Sequence, residues 1–203
     1  MEKVVFLSFA LLLLPIVTSL QIKCQYQSVV TFASVIGSHY KCYTRHVVVE
    51  KPEVIIDGID GVHEDGKSFD NVKSISIFES TCYYFPKGFE KILKNIQDIT
   101  VYNSGLKAIS KDDLKPFPDL VSLSLENNEL TSLDSGLFDF NTKLKQIKLR
   151  GNYLTLIDAG VFDPIEDLTE LSISFLEGDV TRRAYNRDGV EKIKKEIATR
   201  IIL

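Results

Sequence analysis

Four segments repeat one order of apolar and polar positions: VKSISIFESTCYYF from Val72, IQDITVYNSGLKAI from Ile96, LVSLSLENNELTSL from Leu120 and LKQIKLRGNYLTLI from Leu144. They begin 24 residues apart. Offsets 0, 3, 5, 10 and 13 are apolar in every copy, from Val72, Ile75, Ile77, Cys82 and Phe85 to Leu144, Ile147, Leu149, Leu154 and Ile157. About half of residues are apolar in ordinary chains, so unbroken agreement marks an internal repeat. Alternation around offsets 2 to 6 predicts one short strand per copy with a single face in the core. A fifth start keeps Leu168, Leu171 and Ile173 and then fails at Gly178 and Thr181, while a step back from Val72 fails at Lys51 and Glu53.

The spacing L-x-x-L-x-L-x-x-N-x-L in LVSLSLENNEL, and with Ile147 for one leucine in LKQIKLRGNYL, resembles the leucine-rich repeat family. The resemblance covers residues 72–176 and implies an α/β solenoid, a horseshoe of 24-residue repeats lined by a parallel concave sheet. It implies that Asn128 and Asn152 satisfy backbone groups at the turn leaving each strand, where Ser80, Ser104 and Leu176 stand in the other copies. Phe138 and Phe162 would fill the convex side. Cys82 takes an offset held elsewhere by leucine and reads as a small core hydrophobe.

A solenoid requires covered ends. Residues 20–71 are the expected N-terminal cap, with the strand-like HVVVE and a disulfide between Cys24 and Cys42. A metal site built from Cys24, His39 and Cys42 matches no standard zinc spacing, and no cofactor or metal is expected. Residues 177–203 are the expected C-terminal cap, where Val190, Ile193, Ile197 and Ile201 share one helix face and Asp188 with Glu191 resembles a capping box. Residues 1–19, with a charged start, an apolar run from Val4 to Leu14 and small residues up to Ser19, read as a secretory signal peptide. No segment reaches the roughly 18 apolar residues of a membrane span, so an extracellular location is expected. The phrases GVHEDGKSFDNVKSISI, ISKDDLKPFPDL and YNRDGVEKIKKEIATR are similar to small secreted leucine-rich repeat proteins of flies, midges and mosquitoes. That resemblance implies a second cysteine pair at the C-terminal end, which neither FLEGDV nor TRIIL supplies.

The net charge of −4 offers no clustered basic face for nucleic acid. GVHEDGKS, from Gly61, fits the letters of a phosphate-binding loop, yet FDNVKSISI runs straight into a strand where a helix is required. It reads as a Gly-rich turn. His39, His46 and His63 all precede the repeats, which leaves the array without a catalytic base of that kind and argues against an enzyme. Outward offsets form columns on a parallel ladder. Offset 6 carries Phe78, Tyr102, Glu126, Arg150 and Ser174; offset 4 carries Ser76, Thr100, Ser124, Lys148 and Ser172; offset 2 carries Ser74, Asp98, Ser122, Gln146 and Glu170. Offset 7 adds Glu79, Asn103, Asn127, Gly151 and Phe175. Phe78, Tyr102, Glu126, Lys148 and Arg150 are the expected contacts for an extracellular protein ligand or receptor, although exposed strand aromatics also serve cross-strand packing alone. The expected function is a non-enzymatic protein-binding module in extracellular recognition, innate immunity or adhesion. The alternative is a structural or self-associating matrix protein, with a homodimer as one form.

Overall fold

The computed structural model describes residues 19–30, 35–52, 54–175 and 180–200. Most of the expected signal peptide, and Ile201, lie outside them. Before the repeats come β1 (Ser19–Lys23), β2 (Gln25–Val29), β3 (His39–Arg45), β4 (Val48–Val49) and β5 (Ile55–Asp60). The array holds β6 (Val72–Phe78), β7 (Thr81–Cys82), α1 (Phe89–Ile92), β8 (Asp98–Tyr102), α2 (Lys111–Leu114), β9 (Ser122–Ser124), β10 (Ser132–Leu133), β11 (Gln146–Leu154), β12 (Leu156–Ile157) and β13 (Glu170–Phe175). It is followed by β14 (Val180–Ala184) and α3 (Arg187–Arg200).

Eight strands form the main sheet in the order β14-β13-β11-β9-β8-β6-β3-β2. From β3 to β13 the pairs are parallel, and an antiparallel strand closes each end. Ser74 lies beside Asp98, Asp98 beside Ser122, Ser122 beside Gln146 and Gln146 beside Glu170, so each step of the ladder advances 24 residues. All twenty apolar repeat positions are at most 5% exposed. A side chain at any of these offsets therefore packs on its counterparts in the neighbouring copies, and the core is one continuous column. Phe138 and Phe162 stack within it at 5.7 Å.

A left-handed residue follows β3, β6, β8 and β9, and another lies within β11. His46, Glu79, Asn103, Asn127 and Gly151 have φ between 47° and 69°, a region that suits Gly and Asn and strains most other residues. The fifth repeat breaks this rule. Phe175 is placed by sequence in the same outward column, but it is buried and pairs with Val180 of β14, because the chain folds back there as an antiparallel strand.

The two ends differ. Cys24 and Cys42 form a disulfide with Cα atoms 5.3 Å apart, joining β3 to the residue between β1 and β2. Cys82 is free and buried, and burial pushes its thiol pKa up to about 12. At the other end Val190, Ile193 and Ile197 of α3 are buried, and Arg182 donates twice to Glu196 of α3, at 2.7 and 2.9 Å. The helix start departs from the capping box expected at Asp188. Asn186 Oδ1 accepts the Gly189 N–H at 2.8 Å instead, because α3 begins at Arg187 and an asparagine one residue earlier reaches the third N–H.

Candidate functional site

The side chains at offsets 2, 4 and 6 stand on the face of the main sheet opposite the core, and their environment changes along it. At one end three aromatic rings run across adjacent strands: Tyr43 lies 5.1 Å from Phe78, and Phe78 lies 5.6 Å from Tyr102. Lys41 Nζ stands 5.9 Å from the Phe78 ring and the Arg45 guanidinium 5.2 Å from Tyr43, within reach of the ring quadrupoles. Arg45 also donates to the Tyr43 hydroxyl and pairs with Glu79 at 3.4 Å. Burial lowers the Lys41 pKa, and the Asp98 carboxylate acts in the opposite direction.

Toward the other end ion pairs replace rings. Glu126 accepts from Arg150 at 2.6 Å, Lys148 lies 3.5 Å from Glu170, and Gln146 donates to Glu170. Asn127 Nδ2 joins the two regions by donating to the Tyr102 hydroxyl at 2.8 Å.

The structure brings Phe78 and Tyr102 together as neighbours in one column, followed by Glu126 and Arg150, with Lys148 one column away. All five are half-buried. The rows of hydroxyls flanking them are not an approachable floor. Ser74 and Ser76 are fully buried and Ser122, Ser124, Ser172 and Ser174 nearly so, since short side chains sit below the tips of Lys41, Tyr43 and Phe78 and of the ion pairs. Sequence reasoning missed the members of the face that lie on either side of the array. Lys41, Tyr43 and Arg45 of β3 lie beside Ser74, Ser76 and Phe78 and extend the columns by one strand. The signal was present in HYKCYTR, where Tyr40, Cys42 and Thr44 point inward and the residues between them point out. Thr181 and Arg183 of β14 extend the columns at the opposite end.

The phosphate-loop letters lead into no helix of the required kind, since only a 3₁₀ turn, Phe69–Asn71, separates Ser68 from β6. Among the described residues no three His, Cys, Asp or Glu side chains converge as a metal site, and no helix is long and apolar enough to cross a membrane.

Residues 118–175 match the family model described as Leucine rich repeat. The chain is similar to a chain in the crystal structure of a TLR13–ssRNA13 complex, with 16% identity and a TM-score of 0.45, covering 64% of this chain and 24% of that one. It is also similar to a chain in the crystal structure of an LRIM1/APL1C complex, with 17% identity and a TM-score of 0.46, covering 76% and 32%. The chain thus spans only 24% and 32% of the length of those chains. No curated protein matches it. The match to the leucine-rich repeat model thus falls on residues 118–175, and β6 and β8 continue the same parallel ladder in register ahead of them.

Proposed function

We propose that the chain is a secreted, non-enzymatic protein-binding module whose contact surface is the outer face of the main sheet. The observation that carries this reading is the run of three adjacent half-buried rings, Tyr43, Phe78 and Tyr102, ending in the Glu126–Arg150 pair. Aromatic and arginine side chains held rigidly by neighbours lose little conformational freedom on binding, which makes them efficient anchors. Lys148, braced by Glu170, adds a fixed cation beside them. The partner is an extracellular protein ligand or receptor, and the setting is extracellular recognition of the kind used in innate immunity or adhesion. Residues 20–71 and 177–203 serve as end caps to a repeat region over 72–176.

Two experiments test this. Expression of the full chain in secreting cells should deliver protein to the medium that begins at Leu20; retention inside the cell contradicts secretion. Pull-down from native extracellular fluid should then capture a protein partner that the folded Phe78→Ala/Tyr102→Ala/Arg150→Ala variant loses. Equal capture by the variant removes this face as the site.

A further inference from the structure

The two free edges of the main sheet are protected differently. β14 carries Arg182 and Arg183, and charge on an edge strand discourages pairing with another chain. At the opposite edge β2 has the sequence QYQSV, and no charged residue or proline occurs from Gln25 to Ser38. A stretch of that composition with an open edge invites strand addition.

What covers the edge is the segment following β5. It is led in by Asp60, the last residue of β5, whose carbonyl accepts the N–H of Cys24 just ahead of β2 at 2.8 Å. Glu64 takes both groups of Ser28, with Oε1 accepting the backbone N–H at 2.8 Å and Oε2 the hydroxyl at 2.6 Å. Since β2 runs antiparallel to β3, the Ser28 N–H bonded to Glu64 is one that faces away from the sheet. The segment is itself anchored. The Tyr40 hydroxyl accepts the Glu64 N–H at 2.9 Å and lies 3.3 Å from His63 Nδ1. The His63 ring stacks on Tyr26 at 4.0 Å and meets Phe69 edge-on at 4.8 Å. At Gly61, φ is 141° and a Cβ would lie 2.3 Å from Cys24 O, so this close approach to the edge admits only glycine. The phosphate-loop letters have their explanation here: the glycine and the glutamate serve an edge cover.

We propose that Gly61–Glu64 is a latch that keeps β2 from pairing with β2 of a second copy, and that opening it turns this monomer edge into a two-fold dimer interface. The occupant follows from the edge itself. Antiparallel pairing of a strand with its own copy is self-complementary under two-fold symmetry, and an uncharged strand brings no like-charge repulsion to the pairing. The outward N–H of Ser28 would exchange the Glu64 carboxylate for a backbone carbonyl of the other copy.

The test compares the mature full-length protein with Glu64→Ala, Glu64→Gln and Glu64→Ala/Ser28→Pro, using light scattering over a concentration series. Circular dichroism confirms the fold of each. Proline at position 28 removes the outward N–H without touching the ladder to β3. The expected result is dimerisation at least about tenfold tighter for Glu64→Ala than for wild type, near wild-type behaviour for Glu64→Gln, whose amide oxygen still accepts from Ser28, and reversal to monomer in the double variant. A folded Glu64→Ala protein that associates no more than wild type overturns the proposal, as does a dimer that persists with Ser28→Pro.

Discussion

The first repeats of the ladder and the later ones share a backbone and differ in how their turns are joined. In the later repeats Asn128 Oδ1 accepts the N–H groups of Ser104 and Leu106 at 3.1 and 3.2 Å, while its Nδ2 donates to the carbonyls of Val101 and Glu126 at 2.8 and 3.2 Å. Asn152 likewise accepts from Leu130 and donates to Leu125 and Leu149. In the earlier repeats Ser104 Oγ accepts from Ser80 N–H and donates to Tyr102 O, and Ser80 Oγ accepts from Val47 N–H and donates to Phe78 O. A serine makes one bond to the preceding repeat, whereas Asn128 makes three. The outer face changes in the same direction, from rings to ion pairs. The later repeats are thus fastened mainly from inside their turns. The earlier ones depend more on side-chain packing across the outer face, where the half-buried rings of Tyr43, Phe78 and Tyr102 lie side by side.

The comparison breaks most visibly at the turn. Asn128→Ala strands several buried backbone groups and should cost about 3 kcal/mol in denaturant unfolding, against about 1 kcal/mol for Ser104→Ala; equal losses would mean that the turns are equivalent. Gly151→Ala comes next, at roughly 2 kcal/mol. Its Cβ would lie 2.0 Å from Asn127 Oδ1 at a φ of 69°, and moving Asn127 breaks its bond to Tyr102, so the tyrosine's chemical environment should shift as well. On the outer face, Phe78→Ala should lose about 1.5 kcal/mol at any ionic strength. Arg150→Ala should lose about 0.5 kcal/mol at low salt and nothing resolvable at about 1 M, and a salt-insensitive Arg150 effect would show that packing dominates there too. The smallest expected effect concerns Cys82, where burial holds the thiol protonated. An alkylating reagent at pH 8 should leave it unmodified in the native protein and label it on unfolding.

The core of the ladder is legible in the sequence because burial and strand register share one interval, so every copy repeats the same test. Beyond the array that interval fails. Lys41 pairs with Ser74, 33 residues away, because β4, β5 and the latch are inserted between β3 and β6. Stepping back 24 residues therefore lands on Lys51 and Glu53, where the apolar pattern fails. Tyr43 and Arg45 are lost from the site for that reason. At the far end β14 is antiparallel, and no fixed spacing reports Arg183 beside Ser172. Phe78, Tyr102, Glu126, Lys148 and Arg150 could be placed by counting. The cover that their long neighbours give the serine rows could not, since it depends on which rotamers cross the face.

The row of left-handed residues at the strand exits bears on how such a chain lengthens over evolutionary time. A duplicated 24-residue unit taken from between β9 and β11 would carry its own reversal at Asn127 or Gly151 and would insert one more strand without altering its neighbours. On the far side of β13 the neighbouring strand, β14, is antiparallel, so an added unit there would have no parallel ladder to join. Growth by duplication is open within the array and closed at that terminus.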